Sequence, residues 1–135
     1  MHERINGTDL PSVMALAYLG DAAHSLYVRR MLVGRGISKS GELNTEAQKY
    51  VTAERQAEMM KKIRGELLPD ECDVYRRAEN STHLNKPRHA RLADYRAATG
   101  FEAVVGMLEW LGDRERLDYL MNIAHGEKAE NDTEN

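Results

Sequence analysis

The chain is poor in the residues that build disulfide scaffolds and sheets. Among 135 residues it has one cysteine (Cys72), three prolines, one tryptophan (Trp110) and one phenylalanine (Phe101). A single cysteine excludes an internal disulfide and fits a reducing cytoplasm. Few prolines and aromatics, beside abundant Ala, Leu, Met and Glu, favour helix over sheet. No apolar run approaches the roughly 20 residues a bilayer-spanning helix needs. The start, Met1-His2-Glu3-Arg4, lacks the basic-then-apolar order of a signal peptide. There is no glycine-rich phosphate loop, nucleophile elbow or dinucleotide fingerprint. The five histidines are dispersed, with no zinc-ligand spacing and no His-Asp dipeptide. What remains is a single domain with one core, 41% hydrophobic and 30% charged.

Charge is unevenly spread. The net charge of -3 argues against nucleic-acid binding when taken whole. Yet the segment after Gly126 holds Glu127, Glu130, Asp132 and Glu134 against Lys128 alone, and is expected to be a disordered acidic tail. Between positions 76 and 96 lie Arg76, Arg77, Lys86, Arg88, Arg91 and Arg96, opposed only by Glu79 and Asp94. That stretch suits phosphate contacts of low sequence preference; a solvated charged loop is the plainer alternative.

Helical spacing organises the rest. Thr8 or Asp9 ahead of Leu10-Pro11 is the expected first cap. Val13, Leu16, Gly20, Ala23 and Tyr27 then recur on one face until Gly34 and Gly36 end the run. Lys39–Arg64 predicts one or two helices, with Thr52 as the break. Pro69-Asp70 opens a short helix to about Arg77, and the turn formers of Glu79–Pro87 predict a loop. Further helices are expected over Arg91–Leu111 and Asp113–His125, the last with Leu117, Leu120, Met121 and Ala124 inward. No strand pattern and no repeat occurs, so the expected fold is all-α, with residues 1–125 as the domain and 126–135 as the tail.

Two carboxylates stand out. Asp21 lies inside Ala15–Ala23 (ALAYLGDAA), and Glu102 inside Ala97–Gly106 (AATGFEAVVG). An ionised side chain on a buried helix face is costly unless compensated. Gly20, Gly100 and Gly106 each cost about 1 kcal/mol relative to alanine in a helix, a cost explained by close helix approach. Two carboxylates on facing helices suit a hard divalent cation such as Mg²⁺ or Mn²⁺, which polarises a phosphodiester and activates water. The alternative sets Asp21 at the solvated edge of an amphipathic helix. Tyr95 and Arg96, shortly before Glu102, supply a phenol and a guanidinium to the same region, with core packing the simpler role for Tyr95.

Leu16–Ala22 (LAYLGDA) resembles the signature helix of the ribonuclease III catalytic domain, and Gly100–Gly106 (GFEAVVG) its second acidic motif. Arg96 with Ala98-Thr99-Gly100 before Phe101-Glu102 is most similar to the compact branch, the mini-ribonucleases III. The resemblance spans roughly Leu10–Ala124. It implies a ribonuclease III endonuclease-domain helical bundle in which Asp21 and Glu102 are catalytic and metal-binding. Ala17 and Thr99 stand where larger family members carry two further acids, and Arg76-Arg77-Ala78-Glu79-Asn80 departs from the more basic, glycine-containing pattern expected there. Further implications are Mg²⁺ as cofactor with Mn²⁺ as substitute, a cytoplasmic homodimer, and cleavage of double-stranded RNA to 5′-phosphate and 3′-hydroxyl ends. Large-subunit (23S) ribosomal RNA maturation is the implied context, without membrane association. Arg77, Lys86, Arg88 and Arg91 are the expected RNA contacts. Two alternatives compete: a non-catalytic RNA-binding or ribosome-associated protein of the same fold, and a helical adaptor whose acids are structural.

Overall fold

A computed structural model of the chain describes residues 10–81 and 88–126. Helix α1 (Val13–Gly34) starts at Ser12, whose hydroxyl accepts a hydrogen bond from the Ala15 amide at 3.1 Å. The expected caps Thr8 and Asp9 lie outside the described residues. Pro11 stands before the helix and not in its first turn. Ser12 keeps an extended backbone and supplies the capping oxygen, so the helix begins at Val13 and Pro11 stands one residue ahead of the cap.

Thr52 divides the following stretch into two helices, α2 (Ser40–Val51) and α3 (Ala53–Ile63). Its backbone is extended, and its hydroxyl caps α3 by accepting from the Arg55 amide at 3.1 Å. A single 3₁₀ turn, Arg64–Glu66, leads to α4 (Pro69–Asn80). That helix opens on its proline, as expected, and continues past Arg77. Glu79 and Asn80 are therefore helical, and the Ser81 hydroxyl closes the last turn on the Arg77 carbonyl at 2.7 Å. The remaining part of the expected loop, residues 82–87, lies outside the described residues. Helix α5 (Leu92–Leu111) ends at Gly112, whose positive φ of 72° suits glycine. Asp113 then caps α6 (Arg114–Ala124). The described residues contain no strand.

Helix α5 is the hub. From Ala98 to Leu108 every residue is buried except Glu102, which is half-buried. Helices α1, α3 and α4 pack around it, α6 closes against α3 and α5, and α2 lies along α1. Phe101, Val104, Met107 and Leu108 meet Leu16 of α1, Met59, Met60 and Ile63 of α3, and Val74 of α4 in one core. Helix α6 contributes Leu117, Leu120, Met121 and Ala124, the face its spacing predicts. Away from the core centre, Glu71 is fully buried and takes two hydrogen bonds from Arg116, at 2.8 and 2.9 Å. A third, from the Leu68 amide at 2.8 Å, satisfies the start of α4. Cys72 is half-buried and free of disulfide.

The α1–α5 crossing fixes the site. A β-carbon placed on Gly20 would overlap the Glu102 carbonyl oxygen and lie 2.6 Å from its carbon and 2.8 Å from the Gly106 nitrogen. One placed on Gly106 would overlap the Leu16 carbonyl oxygen and lie 2.9 Å from the Gly20 nitrogen. The helices touch backbone to backbone. Gly100 serves a different neighbour, the Tyr75 ring on α4.

Candidate active site

Asp21 follows Gly20 on α1, and Glu102 sits on α5 at the carbonyl that Gly20 touches. The glycine contact therefore sets the separation of the two acids, and their carboxyl groups are joined by a hydrogen bond. Asp21 is exposed while Glu102 is only half open to solvent. Burial, followed by the Asp21 charge and the hydrogen bond to Asp21, pushes Glu102 up to about 8. A donation from the Gln56 side chain works the other way and favours the carboxylate. Without a cation, Glu102 therefore keeps its proton at neutral pH, and a bound cation would favour its ionised form. The oxygens of the pair suit a hard divalent ion, because such an ion keeps several waters and needs few protein ligands. Among the described residues no group of three or more His, Cys, Asp or Glu side chains gathers around one point. Ala17 and Thr99, where two further acids would stand, are both buried.

Behind Glu102 lies a polar network that the sequence reading did not find. Gln56 of α3 is 3% exposed, and its Nε2 lies 3.1 Å from Nδ1 of His24 on α1. His24 Nε2 lies 3.1 Å from Nε2 of His125, which follows α6. The histidines are dispersed in the sequence, yet these two meet across 101 positions. Phe101 packs edge-on against His24, with ring centres 5.0 Å apart. Tyr27 and Tyr50 flank His125. Burial lowers His24 to about 4 in spite of Asp21 nearby. Burial, then His24 and the cations Arg55, Lys62 and Arg35, lowers His125 to about 3. Both imidazoles are neutral at pH 7. The available signals were weak: His24 falls on the inward face that includes Gly20 and Val28, and Gln56 on that of Met59, Met60 and Ile63.

The expected RNA contacts are placed less uniformly. Arg77 is exposed on α4 and paired with Asp73 at 3.1 Å. Arg88 and Arg91 are exposed at the approach to α5. Arg91 lies 11 residues before Glu102, about 16 Å along the helix. Lys86 lies outside the described residues. Tyr95 and Arg96 are half-buried on α5, and Arg96 Nε is buried without a hydrogen-bond partner.

The arrangement has clear relatives. Residues 14–113 match the family model of the ribonuclease III domain. The chain is 40% identical over 111 residues to the mini-ribonuclease 3 of Streptococcus pneumoniae, covering 81% of this chain and 87% of that protein. It is 37% identical to the mini-ribonuclease 3 of Enterococcus faecalis, over 90% and 89% of the two chains. A crystal structure of a Fusobacterium nucleatum protein superposes with a TM-score of 0.77 at 30% identity, covering 85% of this chain and 93% of that one. With the helical bundle, the glycine crossing and the two motifs all in place, the chain belongs to the ribonuclease III domain family, on its mini-ribonuclease 3 branch, and is an endoribonuclease.

Proposed function

We propose that this chain hydrolyses phosphodiester bonds in double-stranded RNA with a divalent cation held by Asp21 and Glu102. The observation that carries the reading is the meeting of these two carboxyls across a backbone-to-backbone helix crossing. Mg²⁺ is the expected ion and Mn²⁺ its substitute, since both prefer carboxylate and water oxygens. Bound there, the ion supplies the Lewis acidity that activates water and stabilises the leaving oxygen. The chain's own part is to hold Glu102 in a half-buried setting where its charge acts at low dielectric, and to leave Asp21 open to water and substrate. The products are 5′-phosphate and 3′-hydroxyl ends. Arg77, Arg88 and Arg91, with Lys86, contact backbone phosphates, which suits an A-form duplex read by shape rather than by base edges.

The protein acts as a cytoplasmic homodimer. The support is an apolar strip on the outer face of α1, where Met14 (43% exposed), Tyr18 (84%) and Leu26 (59%) face solvent. Tyr18 lies one turn from Asp21, so a second copy seated there would extend the substrate surface across both sites. No helix of the described residues is long and apolar enough to cross a membrane. Precursor large-subunit ribosomal RNA is the proposed substrate.

The test is cleavage of a defined RNA duplex with Mg²⁺, with chelator, and with Glu102→Gln. Cleavage that needs the ion and drops by orders of magnitude in a folded Glu102→Gln variant is expected. Duplex binding by a pure dimer without any cleavage would instead support a non-catalytic RNA-binding protein of this fold.

A further inference from the structure

We infer that the cavity between α3, α4 and the start of α5 anchors a backbone phosphate of the RNA duplex, with Lys61 at the end of α3 and Arg64 in the turn that follows joining Arg91 to hold it. The inference rests on the reading of the chain as a duplex-RNA nuclease, and it gives substrate contacts to an element that carries neither acid.

The cavity has a volume of about 410 Å³. Met60 and Tyr75 are buried in its lining, while Lys61, Arg64 and Arg91 are exposed around it. Asp94 is the one carboxylate among the lining residues. Among the described residues no ion pair joins Asp94 to any of the three cations, and none of the three pairs elsewhere. Like charges gathered around one hollow repel, and an anion seated there removes that cost. Arg64 is held ready for it. Its guanidinium carbon lies 4.5 Å from the centre of the Tyr75 ring, within cation–π range. The ring is fixed in turn by its hydroxyl, which donates to Glu79 at 3.2 Å. Gly100 also helps to seat it, since a β-carbon there would lie 2.3 Å from the ring carbon Cδ1. A glycine of the helix that carries Glu102 thus makes room for the ring that positions the cation. The Arg64 N–H groups have no acceptor among the described residues, and a planar guanidinium presents such donors to phosphate oxygens in a fixed fork. Position decides which phosphate is held. Arg91 is already among the proposed RNA contacts, with Arg88 three residues before it, so the cavity continues that surface. Ala97 also lines it, five residues before Glu102, about 7.5 Å along α5 and on a different side of the helix. A phosphate bound there belongs to a stretch of duplex away from the bond being cut. The cavity therefore contributes to binding and not to the chemical step.

The test uses Lys61→Gln and Arg64→Gln, singly and together, with RNA-duplex binding measured in chelator over a range of salt. Both side chains are exposed, so the helical circular-dichroism signal should be unchanged. In the double variant, loss of one phosphate contact should lower the slope of log affinity against log salt by about 0.9 and weaken binding about 5-fold near 0.15 M salt. With Mg²⁺ present, KM should rise by a similar factor while kcat stays as in the wild type. Wild-type affinity and slope in the folded double variant overturn the anchor and leave the nuclease reading standing. A fall in kcat with KM unchanged also overturns it, because the cations would then act in the chemical step. Inorganic phosphate is the second probe, followed by the NMR signals of the Arg64 side chain. Phosphate that shifts those signals, with duplex affinity untouched by the substitutions, assigns the cavity to a small phosphate ligand and overturns the inference. Failure of the wild-type protein to bind duplex RNA refutes both readings. If Arg64→Gln does not fold, Lys61→Gln alone decides.

Discussion

Replacing Gly20 with alanine tests the geometry on which the site depends. The added methyl would lie 2.6 Å from the Glu102 carbonyl carbon and 2.8 Å from the Gly106 nitrogen, besides overlapping the carbonyl oxygen. Ordinary contact begins near 3.4 Å, and with the carbonyl oxygen overlapped α1 and α5 must part by more than about 1 Å at this point. Neither obstacle is a side chain that can rotate away. Overpacking usually costs about 1–3 kcal/mol and occasionally more; two rigid backbones place this case near 3 or above. Better helix propensity returns about 1 kcal/mol, leaving a net loss of about 2 kcal/mol or more. For a chain of this length that lowers Tm by roughly 6 °C or more. Parting the helices also parts the carboxyls, and a misplacement of about 1 Å costs on the order of 100-fold in rate. Gly41→Ala, where a β-carbon meets nothing within 4 Å, is the control and should be neutral or slightly stabilising. Thermal unfolding and duplex-RNA cleavage of both variants decide the matter. A Gly20→Ala protein as stable and active as Gly41→Ala would refute the crossing.

Further expectations follow from the buried polar groups. Without metal, stability should peak near pH 6.5. Below it, His24 and His125 are held neutral to about 4 and 3 while their unfolded forms protonate near 6.5, so stability is lost as pH falls. Above it, folded Glu102 keeps its proton to about 8 while the unfolded form releases it near 4.5, so stability declines as pH rises toward 8. In Tm measurements made in chelator, Glu102→Gln should flatten the alkaline decline and steepen the rise between about pH 4.5 and 6.5, the window in which folded Glu102 alone keeps its proton. A decline that persists unchanged there would contradict the burial of Glu102. Removing Arg116 as Arg116→Ala should destabilise by about 3–5 kcal/mol, because fully buried Glu71 loses its bidentate partner; denaturant midpoints would measure it. Tyr18→Arg should shift the protein toward monomer in sedimentation while leaving the helical circular-dichroism signal intact; an unchanged dimer would dismiss the α1 strip as the interface.

The helices and the pairing of Asp21 with Glu102 were readable because each depends on local chemistry. Apolar spacing marks a face, Thr52 and Gly112 mark breaks, and a glycine beside a carboxylate marks close approach. The start of α1 was misplaced because Thr8, Asp9 and Ser12 all have capping oxygens, and only the position of Pro11 relative to the first turn separates them. Helix α4 outran its expected end because Ser81 bonds back to Arg77 and extends the turn. The network behind the acids was hidden for another reason. Spacing tells which side of a helix faces inward, but not which inward residues of three different elements will meet. Gln56, His24 and His125 each read as ordinary core positions, and only the packing of α1, α3 and the end of α6 makes them neighbours.

The location of His125 also bears on the order in which the enzyme is built. Synthesis delivers Asp21 and then Glu102 well before the imidazole that backs them, since His125 comes only after α6. The wall behind Gln56 and His24 is closed from the far end of the fold and forms only when α6 is packed in place. The rear of the proposed site thus depends on an element that carries neither acid.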